Sequence, residues 1–230
     1  MAYTKLKSGL FLQARISSCR LPGKALLELA GKPVILHVME ALRAIRTTYH
    51  VLLTDDESYP LFQDWAARAG FEIMAGPKED VLARYCLACD RYGVNWVVRA
   101  TGDNPLVSAG QANLLLFLYG LFRSHLTYFQ GAPLGTGVEV VTTEALKIAL
   151  KQSTDPYEHE HITTYIRRRP KEFRILALRA PWPWYYPEGR VTLDTAKDYA
   201  YLKRLYGELY KEMPIATGRL VQWLKKNPYQ

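Results

Sequence analysis

The 230-residue sequence predicts an α/β fold of parallel strands joined by crossover helices, and three observations predict it. Apolar runs of strand length alternate with segments whose apolar residues recur at helical spacing, the order expected of βαβ units. Nearly half of the residues (49%) are apolar and 23% are charged, enough to bury one substantial core and too balanced for a disordered chain. The longest apolar stretch, residues 114–122, falls far short of the roughly 20 residues of a membrane helix.

Taken in order, residues 10–14 read as a buried strand, followed by a polar loop and a helix entered through Gly31-Lys32-Pro33, where Pro suits a first helical position. Residues 50–54 read as a strand. Leu61, Phe62, Trp65 and Ala69 then mark a helix that Gly70 ends. A strand at 71–75, a helix at 80–92 and a strand at 96–100 continue the alternation. Ser108 and Gln111 have the spacing of a capping box, which opens the apolar helix carrying Leu114 to Leu118. Beyond it the expected elements are strands at 127–130 and 139–141, helices at 145–151 and 157–168, strands at 174–178 and 190–193, and a helical tail from Asp198. With no repeat and no linker, residues 1–230 read as one domain, in which 133–165 can form an acceptor-side or dimerisation subregion.

The formal charge of +8 points to a polyanionic partner, nucleic acid or a nucleoside triphosphate. No nucleic-acid-binding motif accompanies it, and the one dense run, Arg167-Arg168-Arg169 before Pro170, reads as a solvated helix end. The N-terminus lacks a long apolar signal core. Cys19, Cys86 and Cys89 form no disulfide framework, and Cys86 and Cys89 read as buried helix residues. A cytoplasmic, soluble protein is expected.

Three segments can carry chemistry. The loop at 13–24 places Arg15, Arg20 and Lys24 near the carboxyl end of the first strand, where open α/β sheets bind ligands. Its cations, hydroxyls and backbone amides suit phosphate, though it lacks the P-loop spacing and reads equally as a solvated turn. Asp103 follows an apolar strand and Asp194 ends Val191-Thr192-Leu193. Together they suit magnesium; singly, each suits a cap of the next turn. Pro156-Tyr157-Glu158-His159-Glu160-His161 lacks the spacing of a zinc helix and reads as a substrate-contacting or dimer-forming segment. The aromatic residues at 182–186 read as packing or an oligomer contact.

In their order, QARISSCRLPGK (13–24), DVLARY (80–85), RATGDNPLV (99–107), GVEV (137–140), PYEHEHIT (156–163) and RVTLDT (190–195) resemble the cytidylyltransferase family. That family includes the spore-coat-polysaccharide F-type proteins and, more distantly, the synthetases of CMP-acylneuraminate and CMP-KDO. The resemblance implies a three-layer, Rossmann-like fold of the nucleotide-diphospho-sugar transferase type, with a mostly parallel central sheet and helices on both faces. It also implies transfer of CMP from CTP to a small sugar-like acceptor, with release of pyrophosphate, in surface polysaccharide or glycoconjugate synthesis. Lys24, Arg15, Asp103 and Asp194 would be catalytic, and Mg2+ would be held by Asp103 and Asp194. The nucleotide would lie on Leu12, Ala14, Arg15, Arg20, Lys24, Arg99, Thr101 and Asp103. Glu139, Tyr157, His159 and His161 would handle the acceptor, and a homodimer is the expected assembly.

Two departures bear on the acceptor. Gly137 stands where many relatives carry Asp, and Ala196-Lys197 replace a common Pro-Glu pair. Two rival readings remain at this point. A metal-dependent glycosyltransferase of similar fold usually carries an Asp-x-Asp pair, whereas Asp103 is followed by Asn104-Pro105. A non-catalytic nucleotide binder would have no need of Asp103 together with Asp194.

Overall fold

The computed structural model describes residues 7–18 and 20–229; Cys19 lies outside the described residues. The strand read first, β1 (Ser8–Gln13), is buried through Leu12 and sits inside a seven-stranded sheet. On one side it pairs with β4 (Tyr49–Thr54), beyond which lies β5 (Glu72–Ala75). On the other it pairs with β6 (Trp96–Thr101), followed by β8 (Glu139–Thr142), β7 (Leu126–Gln130) and β9 (Ile175–Arg179). All these pairings are parallel except the two made by β8. Such a sheet is covered on both faces, which is why its central strands read as continuous apolar runs.

Strand alternation divides the core in two. Leu10, Leu12, Leu52, Val98 and Ala100 face α1 (Val34–Leu42), α2 (Tyr59–Ala69), α4 (Ala109–Phe122), α8 (Ala196–Leu209) and α9 (Thr217–Lys226). Phe11, Val51, Leu53 and Val97 face α3 (Val81–Tyr92), α5 (Thr143–Gln152) and α7 (Thr164–Arg167). Cys86 and Cys89 are buried in α3, where burial raises their thiol pKa values to about 12 and about 11. Among the described residues no helix is long and apolar enough to cross a membrane.

Several expectations are corrected. Residues 190–193 form no sheet strand: Arg190 makes an isolated bridge to Leu134, and Leu193 donates its amide to the Asp103 carbonyl. Val191, Thr192 and Leu193 are all buried, and their apolar-polar-apolar order reads as a strand, but loops supply its partners. Gly135 permits the approach. Its φ is 98°, and a Cβ there would lie 2.7 Å from the Thr192 amide nitrogen.

The helix expected at 157–168 is two pieces, α6 (Pro156–Glu160) and α7, because the chain turns to bury Ile162 and to aim Thr163 at Glu139. The tail breaks between α8 and α9 around Pro214. Pro33 caps α1 from a two-stranded hairpin, β2 (Glu28–Leu29) with β3 (Lys32–Pro33), instead of opening the helix. Only half of the capping box at Ser108 forms: its hydroxyl accepts from the Gln111 amide, while the Gln111 side chain donates to Thr136. Arg167 and Arg168 are exposed at the carboxyl end of α7, as read for a solvated helix end, and each arginine at 167–169 also pairs with a carboxylate.

Candidate active site

The carboxyl ends of β1 and β6 lie side by side, with the Gly102 amide donating to the Gln13 carbonyl at 2.8 Å. A Cβ on Gly102 would stand 2.7 Å from that of Ala14, so the two loops meet only because this position is glycine. Where they diverge they enclose a cavity of about 440 Å3. The loop after β1 folds back over it: Ile16 donates its amide to Ser58, and Gly23, at φ 70°, turns the chain into a 3-10 turn that begins at Lys24.

Lys24 is the hub. Its ammonium donates to Asp103 Oδ2 at 2.9 Å, Asp194 Oδ1 at 3.1 Å and the Leu193 carbonyl at 2.8 Å, which uses all three hydrogens. Asp194 also accepts from Arg20 and Arg190, each at 2.9 Å. Burial works against its charge, but Lys24, then Arg190 and Arg20, hold its carboxyl below the ordinary range. Two carboxylates 91 positions apart in sequence thus share one cation.

Arg15, Arg20, Lys24, Arg99, Thr101, Asp103, Asp194, Ala14 and His161 all line the cavity. Leu12 does not: it is buried in the core, one residue short of the lining. The acceptor set is dispersed. Glu139 is 9% exposed and lies behind Arg99, held by Arg99 at 3.0 Å, by Arg167 and by the Thr163 hydroxyl. Burial opposes its ionisation, and the two guanidinium groups outweigh burial and lower its pKa. His159 is turned away, with Nδ1 2.7 Å from Asp80, the cap of α3, and Nε2 3.1 Å from the Ser153 carbonyl. Tyr157 is outside, packed on the His161 ring at 4.3 Å between centroids.

Other lining residues were given no individual role in the sequence reading. Arg84 is 1% exposed and donates to the carbonyls of Pro77 and Lys78, and burial lowers its pKa. It lies within DVLARY, so the signal was present without a role. Glu160 reaches across the cavity to Arg15 at 3.1 Å. Ser17 Oγ is buried with no hydrogen-bond partner among the described residues.

Fold and sequence each place the chain among known proteins. A CMP:2-keto-3-deoxy-manno-octonic acid synthetase solved in complex with CTP superposes with a TM-score of 0.67 over 88% of this chain and 99% of that one, at 16% identity. A cytidylyltransferase from Leptospira borgpetersenii superposes with a TM-score of 0.89 at 28% identity, covering 97% of this chain and 96% of that one. The class is therefore that of enzymes with the nucleotidyltransferase fold. The spore coat polysaccharide biosynthesis protein SpsF of Bacillus subtilis is 30% identical over 224 residues, 94% of this chain and 93% of that protein. The cytidylyltransferase family model matches residues 10–217, and the chain belongs to that family.

Proposed function

We propose that this chain transfers CMP from CTP to a small, sugar-like acceptor and releases pyrophosphate, with magnesium held by Asp103 and Asp194. The observation that carries the reading is the Lys24 ammonium shared by those two carboxylates at the mouth of a cation-lined cavity. A spot that already gathers two carboxylates around one positive charge is an oxygen donor set suited to magnesium. Among the described residues no three His, Cys, Asp or Glu side chains converge, so phosphate oxygens and water would fill the remaining positions.

In this reading Arg15, Arg20 and Lys24 bind the triphosphate and offset its charge. The Ser17 hydroxyl, buried without a partner among the described residues, is free to donate to a phosphate oxygen. The acceptor hydroxyl oxygen bonds to the α-phosphorus and gives up its proton to solvent water, as the bond from that phosphorus to the β-phosphate oxygen breaks and pyrophosphate leaves. Lys24 exchanges its carboxylate partners for phosphate oxygens and stabilises the charge gathering on the leaving group. Magnesium, when bound, supplies charge neutralisation and orientation of the phosphates. Glu160 and His161 form the wall left to the acceptor. The Bacillus subtilis relative is a polysaccharide biosynthesis protein, and the solved synthetase carries CTP; both support the substrate and a place in surface-polysaccharide assembly.

The experiment is pyrophosphate release with magnesium, offering CTP, UTP, GTP and ATP in turn against pools of sugar acids, sugars and phosphonates. Release with CTP and one pool is the expected result. Equal release with UTP, or release of a nucleoside diphosphate from a nucleotide sugar, would overturn the reading.

A further inference from the structure

Asp198 lies one helical turn beyond Asp194 and outside the cavity, yet its bonding exceeds that of a helix cap. In the capping box that opens α8, Thr195 is the cap and Asp198, three residues on, need accept only the Thr195 amide. Asp198 is 2% exposed and takes donors on both oxygens. Oδ2 accepts from the amides of Thr195 at 2.8 Å and Asp194 at 3.0 Å, and from the Thr195 hydroxyl at 2.9 Å. Oδ1 accepts from Arg190 Nε at 3.2 Å and from the Tyr229 hydroxyl at 2.7 Å. Arg190 then spans the gap, its Nη2 2.9 Å from Asp194 Oδ2.

We propose that Asp198 is a positioning residue for Asp194, gripping its main chain directly and its carboxylate through Arg190, with Tyr229 steadying the grip. The inference rests on the reading of Asp194 as a divalent-ion ligand. Its physical content is twofold. The amide bond fixes where the Asp194 backbone stands, and the Arg190 contact fixes the rotation of its carboxylate. Asp198 also supplies the counter-charge to Arg190. Without it, the guanidinium would turn wholly onto Asp194 and compete with any cation there, since a carboxylate already paired with arginine is a poorer ligand. Outer-shell partners of this kind commonly change metal affinity by roughly 10- to 100-fold.

The test is calorimetry of CTP binding, first in EDTA and then across a Mn2+ titration, on the full chain and on Asp198→Asn, Tyr229→Phe and Asp194→Asn. Asp198→Asn keeps an acceptor for the cap amides and loses the counter-charge. It is expected to raise the Mn2+ concentration for half-maximal enhancement of CTP binding about 10-fold, and Tyr229→Phe about 3-fold, with CTP affinity in EDTA within about 2-fold of the unaltered chain. An unchanged Mn2+ midpoint in Asp198→Asn, or an equal loss in EDTA, reduces Asp198 to a helix cap and overturns the proposal. If Asp198→Asn does not fold, an unchanged midpoint in Tyr229→Phe overturns it instead. Asp194→Asn separates the two claims. If it retains the Mn2+ enhancement, the metal assignment fails first and the proposal falls with it.

Discussion

Lys24 donates one hydrogen to each of Asp103, Asp194 and the Leu193 carbonyl, so removing its ammonium leaves two carboxylates facing each other with one main-chain acceptor unmet. Lys24→Met should therefore act in opposite directions on two quantities. Steady-state turnover of CTP should fall about 100-fold or more in kcat/KM, the scale on which loss of one preorganised donor is felt. Titration of the nucleotide-free protein with Mn2+, followed by electron paramagnetic resonance, should show tighter binding, because the competing cation is gone. Weaker Mn2+ binding would show that Lys24 supports the carboxylates instead of standing in for an ion. At this scale the sequence was informative where chemistry concentrates along the chain: Arg15, Arg20 and Lys24 share one loop, and Asp103 closes an apolar strand. Arg84 was illegible because it bonds from α3 to carbonyls of the loop before that helix, and any residue type can supply a carbonyl.

Between elements, Glu139 joins β8 to β6 through Arg99 and to α7 through Arg167. Glu139→Ala would leave Arg99, largely buried, without its carboxylate. The expected outcome is a loss of about 3 kcal/mol in chemical denaturation, as for breaking a buried pair. A variant of unchanged stability but altered acceptor KM would restore the acceptor role that the sequence suggested.

A second link, His159 to Asp80, ties α6 to the start of α3. Burial disfavours the imidazolium, but the Ser153 carbonyl and the Asp80 carboxylate outweigh it and raise the His159 pKa. A raised pKa means that the folded chain holds the proton more tightly than the unfolded one. The stabilisation is thus full below the unfolded value of about 6.5 and is lost as pH rises through the folded value. His37, whose pKa burial lowers, contributes with the opposite sign. The difference in Tm between the unaltered chain and His159→Asn should accordingly shrink from pH 6 to about pH 8; a constant difference would mean that the link does not titrate. Periodicity located these elements but not their joints. Val191 and Leu193 alternate like a strand while pairing with loops, and the break at 161–163 serves a partner, Glu139, that lies 24 positions away from Thr163.

Across the whole molecule, strand and helix alternation was enough to read a parallel sheet, since crossover helices leave a rhythm that hairpins do not. The insertion of β8 antiparallel between β6 and β7 was not readable, because pairing direction leaves no mark in the residues of so short a strand. The topology matters to function: it brings the ends of β1 and β6 together, and the 190–193 segment docks against the Asp103 loop to deliver Asp194. The net charge of +8 suggested an anion without choosing one, and the cavity is lined by Arg15, Arg20, Lys24, Arg84 and Arg99 against Asp103, Glu160 and Asp194.

The most direct measurement is calorimetric titration of the protein with CTP and, separately, UTP, each with and without magnesium. CTP should bind more tightly with magnesium than without, UTP should bind at least about 10-fold more weakly, a difference of about 1.4 kcal/mol, and Asp194→Asn should erase the magnesium effect. Equal affinity for the two nucleotides, or a magnesium effect that survives in Asp194→Asn, would contradict a cytidine-specific, two-carboxylate centre built around Lys24.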